Sequence, residues 1–516
     1  MKNNKKNMNT DQIISTSRRT LLKGAAASLG IAAASGLSLN LLTPDSAKAM
    51  PPVLPEKWDE EIDVIVIGSG FAGLAAAIEA KQAGASVVVL EKMPVSGGNS
   101  IINGGVFAVA GSPKQEAKGI KDSPDLLLKD MLKAGLDMNH IDLVRMVAEK
   151  SKDAFEWTES LGVKYQEQIT HLGGHSVPRS CSTWNGSGSA IVNKQLEKVK
   201  TLGIEVKKKT YATQIMQEPD GRVIGLKIKE GYKFPDETSG QVKYLKARKG
   251  VVLATGGFSQ DIYLRSIQDP KLTSNVDSTN QPGATGEILL EALRVGATPV
   301  QISWIQLGPW TSPDEKGMGI GYVFNAMAGF VYGVMVDPAT GKRFINELAD
   351  RKIRADAIIK TGHPAVTLAD SQGVKQVPIL DKILAKGVAK KFDTLDELAA
   401  AYNIPEKTLK ETVSNWNTYL KQGKDAEFDR YMQTDSKPIA VPPFYACRAW
   451  PKVHHTMGGI QINTKAQVIG LDRKPIPGLY AAGEIAGGIH GAVRLGSCAV
   501  VDCIVFGRIA GQQIAV

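Results

Sequence analysis

At 516 residues the chain is too long for one simple core, and length alone divides it into two or three domains. Half of its formal charge of +10 lies in residues 1–49, where seven basic residues face two acidic ones; the remainder is too small and too scattered to suggest nucleic acid as a partner. The four cysteines, Cys181, Cys447, Cys498 and Cys503, form no Cys-x-x-Cys pair, so zinc, an iron–sulfur cluster and covalently attached haem are all unsupported, and no metal site is expected.

Residues 1–49 read as an export signal. Arg18 and Arg19 stand in a Ser-Arg-Arg-x-Leu-Leu-Lys setting, an Ala/Gly/Leu stretch follows, and Ala47-Lys48-Ala49 offers a small-residue cleavage site. The stretch is too short and too rich in glycine and serine to span hydrocarbon. This is the pattern of the twin-arginine route, which implies a periplasmic or otherwise extracytoplasmic protein. No second apolar run of spanning length is expected after it, hence no membrane span in the mature chain.

The next segment, "EIDVIVIGSGFAGLAAAIEAKQAGASVVVLEK" (61–92), predicts a buried strand over Ile62–Ile67, a glycine turn, a helix, and a second strand over Val87–Leu90 that ends at Glu91. The turn carries Gly68, Gly70, Ala72 and Gly73: one glycine for the tight turn, one for close approach to a pyrophosphate, one for packing helix on strand. The helix N-terminus favours phosphate, and Glu91 with the adjoining Lys92 suits the ribose end. Three further glycine-rich pieces suggest one long ligand threaded between distant segments, FAD rather than NAD. They are "VSGGNSIINGG" (95–105) with Gly97, Gly98, Asn99, Gly104 and Gly105; "GVVLATGGF" (250–258) with Ala254, Thr255 and Gly256; and "IPGLYAAGE" (476–484) with Gly483 and Glu484. A hairpin is expected with its tip at Asp220-Gly221. The polar stretch 394–423 reads as helical, with charge mostly on one face. "KVHHTMGGI" (452–460) sets His454 and His455 beside a glycine pair; by itself this could be a turn with two solvated imidazoles.

From about Trp58 to its end, the chain resembles the flavoprotein subunit of the fumarate reductase/succinate dehydrogenase family. It looks most like the soluble exported branch with flavocytochrome c fumarate reductase and urocanate reductase. The resemblance rests on "GGNS", "TNQPGATGE" (279–287), "GKRFINE" (341–347), "VHHTMGG" (453–459) and "GEIAGGIHGAVRLGSCAVVD" (483–502). It implies an α/β fold, a split Rossmann-like FAD-binding domain over 50–301 and 455–516, and an inserted α+β cap over 302–454. No histidine precedes His140, so the covalent flavin link of the membrane-bound branch is not expected and FAD should be noncovalent.

The same resemblance implies the chemistry. His454, Thr456 and Arg494 would hold a substrate carboxylate, His455 would lie against the flavin, and Ser497, Ala499 and Val500 would open the last helix toward it. Arg351, eight residues beyond Arg343, falls where this family carries its catalytic acid. Hydride would go from FAD N5 to the β-carbon of an α,β-unsaturated carboxylate and a proton from Arg351 to the α-carbon. The bland alternative for Arg351 is a salt bridge to Glu347 or Asp350 on one helix.

One departure bears on substrate. Where fumarate reductases place a His, a Thr and a Glu/Arg pair for the second carboxylate and the proton relay, this chain has Gly308, Ala326, Met327 and Phe330. Trp304, Trp310, Tyr322, Phe324 and Phe330 are expected to make that end aromatic and apolar, with Asp314, Glu315 or Glu347 as substitutes in the relay. A monocarboxylate such as urocanate, a cinnamate or methacrylate therefore fits better than fumarate. The other readings are a fumarate reductase, a 3-ketosteroid dehydrogenase, for which a carboxylate clamp has no use, and a non-catalytic flavoprotein electron carrier. Lacking haem motifs of its own, the chain is expected to take electrons from a separate multihaem c-type cytochrome.

Overall fold

The structure is a computed structural model that describes residues 54–433 and 435–516. The export signal expected over residues 1–49 lies outside the described residues.

The expected strand–turn–helix–strand opens the main sheet. β1 (Glu60–Ile67) buries Val64 to Ile67 and lies parallel to β2 (Val87–Glu91) on one side. β2 continues in parallel to β3 (Glu205–Lys208). β4 (Thr210–Gln217) and β5 (Val223–Glu230) form the antiparallel hairpin expected around Asp220-Gly221, and β5 pairs with the long β6 (Gln241–Leu253), which is parallel to β1. The far end of the sheet forms much later in the chain, so its partners are collected from both ends of the sequence.

Between β1 and β2, helix α1 (Phe71–Gln82) is buried from Leu74 to Ile78, as a helix covered on two sides must be. Gly68 sits at φ 104°, where an L side chain is strained, and a Cβ on Gly73 would lie on the carbonyl oxygen of Gly68. These two glycines make the turn and the helix packing possible.

The segment after residue 304 carries its own sheet. β7 (Ile305–Gly308) leads into it, and its four strands run in the order β8 (Val334–Val336), β9 (Ala365–Asp370), β11 (Phe444–Ala449), β10 (Ala389–Phe392). Helix α2 (Arg351–Thr361) precedes β9. The polar stretch 394–423 is two helices, α3 (Leu395–Ala401) and α4 (Glu406–Gln422), whose Leu398, Leu409, Val413 and Trp416 pack on Val334, Val366 and Ala446. "GKRFINE" is pinned by charge: Arg343 bonds Glu347 at 2.8 Å and Asp425 at 2.7 Å, Arg430 reaches Glu347 at 3.2 Å, and Trp416 stacks against both arginines.

The chain returns along β12 (Lys452–Thr456), antiparallel to β7. β13 (Gln467–Ile469) and β14 (Pro475–Ala481) then complete the main sheet, β14 parallel to β6. Helix α5 (Cys498–Ala515) closes the chain against α1, with Gly507 and Gly511 lying directly on Ala72 and Ala76. The expectation of no later spanning run needs a correction: α5 is long and apolar enough to cross a membrane. Most of it is buried in the core, which demands the same composition.

Candidate functional site

The glycine turn, the end of β2 and the strand ends 254–256 and 482–484 border a cleft open to solvent. Of the residues expected to hold the cofactor, Gly68, Gly70, Ala72, Glu91, Lys92, Gly98, Asn99, Ala254, Thr255, Gly256, Gly483 and Glu484 line it. Gly73 lies beneath it in the helix packing, and Gly97 donates its N–H to Ser69 Oγ at 2.9 Å. Gly105 packs on Ser187, so with Gly104 it shapes the neighbouring turn and not the cleft. Glu91 accepts from Ser69 Oγ and from the Met93 N–H, which fixes its carboxylate at the strand end. Lys92 Nζ bonds Thr285 Oγ1 and lies over the Tyr211 and Phe234 rings, 5.7 and 5.4 Å from their centroids. Tyr211 and Cys503, which carry no local motif, also line the cleft, as does Gln281 of "TNQPGATGE", whose individual role the sequence did not single out. The set fits a dinucleotide: the N-cap Gly70 gives α1 no side-chain acceptor, so that only the Phe71 N–H is met by a side chain, Ser100 Oγ at 3.0 Å, and among the described residues the buried His455 Nε2 and Asn280 Nδ2 have no partner.

A second group of residues gathers around the β7–β12 ribbon. The pairing runs Gln306 to His455 and then Leu307 to Val453, which leaves His454 as the extra residue of a β-bulge. A bulge re-aims a side chain that strict alternation would send to the opposite face. Thr279 Oγ1 bonds His454 Nδ1 at 2.8 Å and leaves Nε2 as the ring nitrogen available to a ligand. Arg351, first residue of α2, donates to Gln306 Oε1 at 3.1 Å; the Gln306 amide in turn donates to the Arg494 carbonyl at 3.2 Å. Arg494 is buried with its Nε unpartnered. Among the described residues no carboxylate lies within 4 Å of either guanidinium. Arg351 makes neither of the two helix salt bridges open to it, because Glu347 is engaged by Arg343 and Asp350 caps α2 through the Ile353 N–H.

Electrostatics follow from this gathering of positive charge in a buried place. Burial, then Arg494 and Arg354, push the Arg351 guanidinium well below its usual range. Burial, then Arg494 and Arg351, hold His454 well below the usual imidazole value, so its ring is neutral. His455 is depressed for the same leading reason and lies 3.5 Å from Glu484, whose carboxyl burial raises to about 7.

Several expectations need correction. Thr456 is fully buried and gives its N–H and hydroxyl to Glu484, so it braces that carboxylate. Phe324 is buried among Val374, Ile383 and Tyr445, Phe330 lies behind Trp310 beside Met335 and Ile358, and Tyr322 packs between these two clusters. The aromatic wall is therefore narrower than the sequence suggested, and Trp310 carries it: its ring meets His454 edge-on at 5.2 Å and lies 4.6 Å from the Arg351 guanidinium. The proposed relay acids are engaged elsewhere, Asp314 with Arg448 and Glu315 with the N–H groups of Ile320 and Gly321. Gln306 was missed because a neutral side chain in a strand gives no periodic or charge signal; Thr279 opens the quoted "TNQPGATGE", but its role emerges only where that loop meets His454. Ser497 takes φ 60° before α5 and bonds Ser180 Oγ at 2.8 Å; Ala499 and Val500 follow in the first turn.

A family model described as FAD binding domain matches residues 63–500. The chain is 43% identical over 504 residues to the acrylate reductase flavoprotein subunit of Shewanella woodyi, covering 96% of this chain and 97% of that protein. It is 35% identical over 480 residues to the urocanate reductase of Eggerthella lenta, covering 91% of this chain and 77% of that protein. Among solved structures it is similar to the open conformation of a flavocytochrome c3 fumarate reductase, with a TM-score of 0.74 at 35% identity over 89% of this chain and 78% of that one.

Proposed function

Because this chain belongs to the fumarate reductase/succinate dehydrogenase flavoprotein family and is an FAD-dependent reductase of unsaturated acids, we propose that it is exported and that its substrate is a 2-enoic monocarboxylate, not fumarate. The observation that carries this reading is the pair Arg351 and Arg494, the first half-buried and the second buried, with no carboxylate partner among the described residues. Buried charge of one sign without a counter-ion calls for an anionic ligand.

In the proposed reaction Arg494 and neutral His454 bind the substrate carboxylate, the guanidinium through the planar donor pair suited to it. Gly68, Gly70, Glu91 and Gly98 of the glycine cradle would hold FAD noncovalently, and the reduced cofactor, when bound, would supply the hydride equivalent for the β-carbon. Arg351 donates its proton to the α-carbon, where negative charge develops, and its positive neighbours favour release of that proton. Gln306 fixes the acid relative to the clamp, and Thr279 fixes the His454 ring. Residues 302–454 act as the cap over this site. The absence of the second-carboxylate residues at 308, 326, 327 and 330, together with a relative named for acrylate, supports a monocarboxylate. The description of that relative as a flavoprotein subunit also supports a separate electron donor, which we place in the class of multihaem c-type cytochromes.

The test is anaerobic reoxidation of the dithionite-reduced, FAD-loaded protein, followed at the flavin band, with acrylate, methacrylate, urocanate, cinnamate, fumarate and a 3-ketosteroid offered separately. Rapid reoxidation by a monocarboxylate and slow reoxidation by fumarate is the expected result; a preference for fumarate or the ketosteroid overturns the reading.

A further inference from the structure

Gly308, Trp310 and Arg351 form a line of contacts beside His454. A Cβ built on Gly308 would lie 3.3 Å from Trp310 Cζ2 and 3.5 Å from His454 Cβ, so a side chain at 308 would press on the indole, and the glycine lets the ring lie close against the strand. The indole meets His454 edge-on on one side and the Arg351 guanidinium on its face. It thus bridges the residue proposed to bind the carboxylate and the residue proposed to deliver the proton.

The ring is not free to swing away. Trp310 is 8% exposed and is backed by Phe330, Met335 and Ile358. Its carbonyl accepts from Asn325 Nδ2 at 2.9 Å, and Asn325 Oδ1 accepts in turn from Thr367 Oγ1 at 2.6 Å. Asn325 opens a π-helical turn, Asn325–Gly329, a geometry that recurs at functional sites. On the other side, Thr311 Oγ1 donates to the Gly308 and Trp450 carbonyls at 3.1 and 2.6 Å.

We infer that Trp310, seated on Gly308, is the specificity-determining wall of the substrate cleft, admitting short 2-enoic acids of the size of acrylate or methacrylate and excluding a β-aryl group or a second carboxylate. The inference rests on the enoate reading above and narrows it. An indole edge offers a second carboxylate no charged donor, and leaving that carboxylate unpaired in a buried place is costly. A β-aryl group would have to displace the indole, which also supports Arg351 through its face. The larger acids weighed from sequence, urocanate and cinnamate, are thereby disfavoured.

The parent holoprotein and its Trp310→Ala and Trp310→Phe variants, reduced anaerobically, are to be reoxidised by acrylate and by cinnamate, and the oxidised forms titrated with propionate and 3-phenylpropionate through the flavin difference spectrum. The ratio of the two second-order rates cancels any general loss from a loosened Arg351. The parent is expected to favour acrylate by about a hundredfold, and Trp310→Ala to shrink that preference at least about tenfold and bind 3-phenylpropionate; Trp310→Phe, the gentler change, falls between. Equal use of both acids by the parent, or an unchanged ratio in both variants with their flavin bound, overturns the inference and leaves the enoate reading standing. Failure of every enoic acid to reoxidise the parent overturns both.

Discussion

Glu484 accepts the N–H and hydroxyl of Thr456 while standing 3.5 Å from His455, and burial lifts its carboxyl to about 7. A carboxyl raised in the folded chain binds its proton more tightly there than in the unfolded chain. Its contribution to stability is therefore full below about pH 4.5 and lost as pH rises through about 7. Glu484→Gln keeps an oxygen for Thr456 and does not titrate. Between pH 5 and 8 the parent should lose up to about 3 kcal/mol relative to this variant, read from urea midpoints; a constant difference across that range would show that Glu484 titrates normally. At this scale the sequence was informative where charge or glycine marks a residue. His454, Arg351 and Arg494 are together because their motifs say so, whereas Thr279 and Gln306, which aim them, are ordinary polar residues until the strand and loop that carry them meet. Phe324 and Phe330 illustrate the opposite error: aromatic composition was legible, but which ring faces a cleft and which fills a core is decided by neighbours far away in sequence.

Helix α2 places Arg351 at its first residue, behind an Asp350 cap. The positive end of the helix dipole opposes a guanidinium there and so adds to the acidifying effect of Arg494 and Arg354. Arg351→Lys retains the charge but loses the planar fork that faces Gln306 and Trp310. It should slow reoxidation by the preferred enoate by about 10²–10⁴-fold, the usual worth of a general acid. FAD binding should be unchanged, as judged by flavin fluorescence. A rate within a fewfold of the parent would remove Arg351 from the role. The strand–turn–helix of the cofactor cradle was readable residue by residue because each step is local. The two-helix break at 402–405 carries a proline, Pro405, that signals it. The bulge at His454 carried no such signal, since a bulge exists only relative to the strand opposite.

The residues of the site come from positions 279, 306, 351, 454 and 494, so the whole chain must fold before any of them is in place. The proposed export, were it by the twin-arginine route expected from residues 1–49, would suit such a protein, because that route carries folded chains. Arg18→Lys with Arg19→Lys should leave the precursor in the cytoplasm with its FAD bound, as fractionation and flavin content would show; continued appearance of the processed protein outside would exclude that route. The buried set Arg343, Glu347, Asp425 and Arg430 ties together parts of the chain some eighty residues apart. Removal of any one member would strand a buried charge, at about 3–5 kcal/mol. That dependence on the folded whole is why the sequence marks the cofactor cradle more clearly than the substrate end.

The shared volume of Gly308 and Trp310 also constrains history. A Cβ at 308 already stands 3.3 Å from the indole, so a side chain there crowds Trp310, and that crowding is relieved when the residue at 310 is smaller. A lineage moving from this pocket toward one with a polar residue at 308 must first give up the tryptophan, passing through a roomy and less selective intermediate. The reverse journey must shed the side chain at 308 before the indole can settle. The order of the two substitutions is set by geometry, and broad substrate range lies on the path either way.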